Sequence, residues 1–409
     1  MTTFLLVIIY LAFISLGLPD SLLGVAWPAM QSDFGAPLET AGFLFMTIAG
    51  GTIISSLASG RILKRFGTGN VTFVSCLMTA CALLGFHFSP SVIWLVLCTI
   101  PLGLGAGSVD AGLNDYVATH YKAHHMSWLH CFWGVGATFG PIIMAQFISG
   151  QHSWRDGYFA ISGIQFALVV ILFLTLPLWN RVTKNSNNTL NEEPEDSNGE
   201  SYKEDAEDVK PLHIKGVKLA LMSFLFYCGV ESTVGLWGSS YLVNVKDLPV
   251  SVAAQWVSFY YAGITFGRFI TGFITFKISN RTLIRVGQMI ALFGAILLIL
   301  PFSSILSLVG FIMVGLGLAP IFPCMLHETP SRFGKKHSQT IMGYQMAIAY
   351  TGSTFIPPLL GFIASHSTIG IFPFCIVVFV AAMFLSSEKL NTLLKKQGLF
   401  RDDTSSTAI

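Results

Sequence analysis

The chain reads as an all-α membrane protein: twelve transmembrane helices in two six-helix bundles, related by a pseudo-twofold repeat, with both termini cytoplasmic. Three observations carry that reading. Hydrophobic residues make up 53% of the 409 positions and charged residues only 11%, against about 25% charged in a soluble domain. The apolar residues gather into segments about as long as the ~20 residues needed to cross hydrocarbon. Glycines recur at one fixed offset between the two halves. A mean hydropathy of +0.66 excludes a soluble enzyme, a disordered scaffold and a nucleic-acid binder.

The twelve predicted spans lie near 4–30, 39–60, 70–88, 91–118, 126–149, 156–179, 216–243, 251–276, 281–300, 304–326, 338–365 and 368–386. Each must be helical, because hydrocarbon offers no partner to an unpaired backbone group. Basic residues fix the orientation. Arg61, Lys64, Arg65, Lys122, Arg181, Lys184, Lys277, Arg281, Arg285, Arg332, Lys335 and Lys336 follow even-numbered spans, whereas only Arg155 and Lys246 follow odd-numbered ones. No cleavable signal is expected, since Met1-Thr2-Thr3 lacks a base and Phe4 already opens an apolar run. The expected organisation is an N-terminal bundle over 1–180, an acidic cytoplasmic linker over 181–214, a C-terminal bundle over 215–387 and a cytoplasmic tail over 388–409. Between Arg181 and Pro211 nine acids face four bases, the composition of a solvated connector.

The halves repeat. Gly51 and Gly263, Gly60 and Gly272, Gly103 and Gly315, Gly105 and Gly317, and Gly140 and Gly352 are each 212 positions apart. At that offset Asp20 falls opposite Ser232, beside Glu231, and Trp133 opposite Gln345.

Setting aside charges at the span ends, four acids, Asp20, Asp110, Asp115 and Glu231, and one base, Arg268, lie inside spans. At mid-membrane each costs at least about 2.5 kcal/mol on insertion scales, so each needs a reason. Asp110 has Asn114 one turn on, with Gly103 and Gly107 on the same face; Glu231 has Gly235 and Gly238. Carboxyls on faces kept open by glycine suit proton coupling and polyol binding, and Asp20 joins them as a third candidate. Helix packing is the competing reading for each. Asn114, His130, Trp133, Glu231, Trp237 and Gln345 are the candidate substrate contacts: amides hydrogen-bond hydroxyls, and indole offers a flat apolar face. Tyr260 and Tyr261 are expected in an interfacial aromatic belt. Arg268, Asp115 and Arg61 are the candidate gating residues, pairing across the cytoplasmic side.

His120, His124 and His125 copy one histidine box of a di-iron membrane enzyme, but the other histidines are scattered singly, and such a centre needs several boxes. The seven cysteines form no C-x-x-C pair and read as small apolar residues. No phosphate loop of the form G-x-x-x-x-G-K-[ST] occurs, so an ion gradient must supply the energy. Neither enzyme activity, cofactor nor metal is expected.

Gly60-Arg61-Ile62-Leu63-Lys64-Arg65-Phe66-Gly67 resembles the signature loop of the major facilitator superfamily, with Lys64 at the usual acid. Gly105 to Asn114 resembles the G-x-G-x-x-E-x-x-x-N pattern of the fucose:proton symporter family, Asp110 standing for the Glu. Tyr227-Cys228-Gly229-Val230-Glu231 and Gly263 to Arg268 are similar to that family's seventh- and eighth-span motifs. The resemblance implies the major facilitator fold, Asp110 as proton-coupling acid and Glu231 as a substrate or coupling acid. The expected function is a secondary active, proton-coupled monosaccharide symporter working by alternating access. Export of drugs or metabolites on the same fold is the alternative. The expected partners are a small-molecule substrate, protons or sodium and the lipid bilayer of the cell membrane, with the protein a monomer and no nucleic acid bound.

Overall fold

Hydrocarbon satisfies no backbone group, and the described chain is accordingly helical almost throughout. The computed structural model describes residues 2–121, 123–149, 153–190, 211–275, 277–301 and 303–396. The first half holds α1 (Thr2–Asp20), α2 (Leu22–Phe34), α3 (Thr40–Phe66), α4 (Thr68–His87), α5 (Val92–His120), α6 (Ala123–Ser149) and α7 (Trp154–Leu190). The second holds α8 (Val217–Lys246), α9 (Val250–Ile274), α10 (Asn280–Ile299), α11 (Ser304–Leu318), α12 (Ile321–His327), α13 (Thr329–Phe333), α14 (Lys335–Ser365) and α15 (Phe372–Lys396). Large side chains such as Leu57, Ile93, Leu174 and Leu385 are exposed on the outside, as a bilayer-facing surface requires.

Among the described residues, eleven helical stretches are long and apolar enough to cross a membrane. The predicted eighth span, α9, has the length at 25 residues. Its Gln255, Trp256, Tyr260, Tyr261 and Arg268 lower its apolarity; one face packs on α6 of the other half, while Phe259, Phe266, Phe269 and Phe273 are exposed on another. Two spans are broken. The first changes helix at Asp20–Ser21, after Pro19 inside α1; the tenth does so at Ala319–Pro320. A proline lacks the N–H that would continue the ladder. The α7 helix continues to Leu190, past the predicted span end at 179; residues 191–210 of the expected linker lie outside the described residues. The expected tail begins as helix. Leu390 and Leu394 of α15 are buried with Val217, Leu221 and Phe333, and that apolar stripe keeps the chain helical beyond 387.

Close helix approaches show the repeat atom by atom. A Cβ on Gly103 would collide with the carbonyl of Ile48, and one on Gly315 with that of Tyr260; these partners are themselves 212 apart. The offset does not hold everywhere. Gly136 seats on the carbonyl of Ile14 and the N–H of Leu18, and Gly352 seats in the same way on Leu225 and Gly229. The first and seventh spans therefore correspond at 211, and the fifth and eleventh at 216. Asp20 corresponds to Glu231 itself, not Ser232, and Trp133 to Ala349, not Gln345. The extra residues in the second half lie around α13, which has no counterpart between α5 and α6.

The halves meet where α2 packs on α8, α3 on α14 and α6 on α9. Gly24 and Gly235 correspond to each other and touch: a Cβ on Gly24 would collide with the Gly235 carbonyl and lie 2.7 Å from Leu236 Cα. They therefore sit on the pseudo-twofold axis. Ser239 Oγ donates to the Val25 carbonyl at 3.4 Å beside them. Gly24→Val should pry α2 from α8. Overpacking costs about 1–3 kcal/mol, so thiol labelling of a Ser239→Cys reporter should accelerate by about tenfold; an unchanged rate would contradict this role for the contact.

A second charged cluster braces the foot of the second half. Glu328 pairs with Arg281 at 3.3 Å and with Arg332 at 3.2 Å, and Asn280 Nδ2 lies 3.0 Å from His327 Nδ1. Burial pulls the Arg332 guanidinium down from its ordinary value, against the attraction of Glu328. Arg332 is 5% exposed. Glu328→Ala strands that charge and should lower stability by about 3 kcal/mol, read as a fall in unfolding temperature in detergent. Arg285 and Glu388 form a two-pronged pair at 2.8 and 2.7 Å nearer the surface, where such pairs contribute at most about 1 kcal/mol.

Candidate functional site

Four of the five intramembrane charges meet near the boundary between the halves. Arg268 of α9 donates from Nη2 to Glu231 Oε1 of α8 at 3.1 Å and to the Tyr227 hydroxyl at 3.2 Å. Side-chain exposure is 15% for Arg268 and 18% for Glu231, so the pair is largely desolvated. The Tyr260 hydroxyl donates to the Glu231 backbone carbonyl at 3.2 Å.

On the other side of Arg268 lies the first half. Its guanidinium carbon is 5.6 Å from the Trp133 ring centroid, a cation–π distance. The same indole donates from Nε1 to Asp20 Oδ2 at 2.7 Å. Tyr261 meets Trp133 edge-on, with centroids 6.4 Å apart. A continuous polar path thus runs from Asp20 through Trp133 and Arg268 to Glu231, joining α1, α6, α9 and α8. It crosses from one half to the other.

Asp110 sits on α5, with Asn114 Nδ2 donating to its Oδ1 and to its backbone carbonyl, both at 2.9 Å. Asn114 therefore solvates the acid one helical turn away and is not a free amide. Asp110 is within electrostatic reach of Asp20 and of Tyr350 on α14, and Tyr350 is within hydrogen-bonding reach of Ser56. His130 lies within electrostatic reach of Arg268 and packs edge-on against Phe13 at 5.9 Å. Asp20, midway along the first span, and His130, two turns into α6, are both exposed, which defines an open cleft between the halves.

Several expectations are corrected. Trp237 is fully buried, its Nε1 donating to the Pro357 carbonyl at 2.7 Å; it anchors α14 and lines no cleft. Gln345 is 1% exposed and accepts from Thr329 at 3.1 Å, because the true register turns it into the second half. Tyr260 and Tyr261 are buried against the charge cluster, not in an interfacial belt. The glycines beside the acids do not hold open faces. Gly107 admits Thr52 and Ser55 of α3, Gly235 admits the Tyr261 hydroxyl, and Gly238 admits Phe311. Arg268 pairs with Glu231 within its own half rather than closing a gate across the cytoplasmic side. Arg61 is exposed on α3, the Asp115 side chain lies outside the described residues, and so do those of His120 and His124. His125 Nδ1 lies 2.8 Å from the Tyr10 hydroxyl, a helix-to-helix contact.

Tyr227 and Tyr261 went unread as site residues. The signal lies in helical spacing: Tyr261 stands two turns before Arg268, and Tyr227 one turn before Glu231.

A membrane-spanning bundle with a charged cleft between two repeated halves is the architecture of a secondary transporter, not an enzyme. The Major Facilitator Superfamily profile matches residues 9–357, and the chain belongs to that superfamily. Among relatives, the glucose/mannose transporter GlcP of Bacillus subtilis (strain 168) is 24% identical over 379 residues, covering 91% of this chain and 92% of that one. Bypass of stop codon protein 6 of Saccharomyces cerevisiae is 24% identical over 395 residues, covering 91% and 79%. The inward open conformation of the xylose transporter XylE from E. coli matches with a TM-score of 0.74 at 12% identity, covering 98% of this chain and all of that one. This last likeness is one of fold.

Proposed function

We propose that the chain is a proton-coupled monosaccharide symporter. The observation that carries this reading is the convergence of Asp20, Asp110 and Glu231 with Arg268 on a cleft between two repeated halves. Intramembrane carboxyls are costly and mark proton relays. The Trp133 ring, with His130 one turn before it on α6, offers the stacking surface and a hydrogen-bonding group that a sugar ring requires. The name of the Bacillus subtilis relative supports a hexose.

Rocking of the halves about the Gly24–Gly235 contact exposes the cleft to each side in turn. Protonation of Asp110 or Asp20 removes charge that opposes reorientation, and sugar binding completes the occluded state. Both termini and the 181–214 linker face the cytoplasm in this scheme, the membrane is the cell membrane, and the working unit is a monomer of two bundles, 1–180 and 215–387.

The test is uptake of radiolabelled glucose and mannose into proteoliposomes under an inward proton gradient, with a sodium gradient as the parallel arm. Accumulation that collapses with a protonophore is the expected result. Accumulation driven by sodium alone would overturn proton coupling. A second reading rests on the excess of three acids over one base in the cleft, which suits a cationic substrate: expulsion of a lipophilic cation, with no sugar uptake, would select an exporter.

A further inference from the structure

We propose that Trp133 is a positioning residue that couples the two charge centres, reporting the pairing of Arg268 with Glu231 in one half to Asp20 in the other. This inference rests on the proton-coupled reading above, but its central measurement needs no substrate. The geometry is specific. The indole N–H is spent on Asp20 Oδ2 at 2.7 Å, while the ring sits 5.6 Å from the Arg268 guanidinium. One rigid side chain of two rotatable bonds thus contacts an acid of the first half and a base of the second. Trp133 is carried by α6, packed on both α1 and α9, the helices that bear Asp20 and Arg268.

The physical argument has two parts. A cation over the ring face withdraws electron density from the indole and strengthens its N–H as a donor. A donor bonded to the ionised carboxylate favours that form. When Glu231 takes a proton, Arg268 loses its counter-ion and is drawn toward the remaining π-face. The indole then favours ionised Asp20 more strongly, so a proton gained at Glu231 promotes release at Asp20. The correspondence of Asp20 with Glu231 across the pseudo-twofold axis makes this an exchange between equivalent positions.

Every charged or titratable group facing the pair enters this account. Asp20 is faced by Trp133 of α6, Asp110 of α5 and Tyr261 of α9. Arg268 is faced by Glu231, Tyr227 and Cys228 of α8, by Tyr260 of its own α9, and by His130 and Cys131 of α6. Asp110 has its own amide partner in Asn114, and among the described residues it is Trp133 that donates to Asp20.

The experiment is an infrared pH titration of the purified full-length protein, with Asp20→Asn subtracted to isolate the Asp20 carboxyl band. Trp133→Phe keeps a ring face and removes the N–H, so the Asp20 midpoint should move to higher pH by about one unit. Glu231→Gln should lower the midpoint in the Trp133 background and shift it by less than half as much when Trp133 is Phe. Trp133→Gln, which restores an amide donor without the ring, should recover the first effect but not the second. An unmoved midpoint in Trp133→Phe, or an equal Glu231→Gln shift in both backgrounds, overturns the proposal whether or not sugar is carried. Failure of wild-type uptake to respond to pH would sink the functional reading while leaving this titration interpretable.

Discussion

Arg268→Met should abolish uptake and destabilise the protein. Removing one partner of a buried ion pair leaves the other charge uncompensated, at a cost of about 3–5 kcal/mol. Side-chain exposures of 15% and 18% place this pair toward the lower end. Glu231 is the charge left without its partner. Glu231→Gln added to Arg268→Met removes the stranded charge and should regain most of the lost stability without regaining uptake. Thermal unfolding in detergent reads the first outcome, and proteoliposome uptake the second. A single mutant as stable as the wild type would show that the pair contributes nothing net.

Asp110→Asn should separate binding from energy coupling. The amide is nearly isosteric with the acid and can still bond to Asn114, so helix α5 should pack as before. It cannot gain or lose a proton. Sugar should therefore equilibrate but no longer accumulate against a gradient, and counterflow from preloaded vesicles should persist near the wild-type rate. Accumulation at the wild-type level would defeat the assignment of Asp110 to proton coupling. Loss of counterflow as well would move Asp110 from coupling to substrate binding.

The two experiments probe unlike signals in the sequence. Asp110 and Glu231 were legible because a charge inside an apolar run is conspicuous wherever the helix turns it. Helix number, and the repeat at 212 positions, were legible for a related reason. Hydropathy and glycine spacing are local properties, imposed by the bilayer on each segment separately. The Gly103–Ile48 and Gly315–Tyr260 contacts show that the glycine signal reported true helix approaches. What those glycines do beside Asp110 and Glu231 was misread, since sequence shows the missing side chain but not the neighbour that fills its place.

Gln345 and Trp237 show where a single offset fails. A register difference of four residues around α13 moves Gln345 by about one helical turn, from an imagined cleft to the Thr329 hydroxyl. Trp237 is aromatic and near a span end, features shared by a ligand contact and an anchor; only its bond to the Pro357 carbonyl decides between them.

The sequence by itself determined that this chain is a twelve-span transporter built from two repeats, with costly charges at a few positions. It could do so because the membrane acts on every helix through the same local rule, hydrophobicity over a fixed length. Only the tertiary structure decided that Asp20, Trp133, Arg268 and Glu231 form one path between the halves. Those residues come from four helices spread over more than 200 positions of chain. Their meeting depends on helix rotation and on glycine-permitted approach distances, quantities that no local pattern encodes.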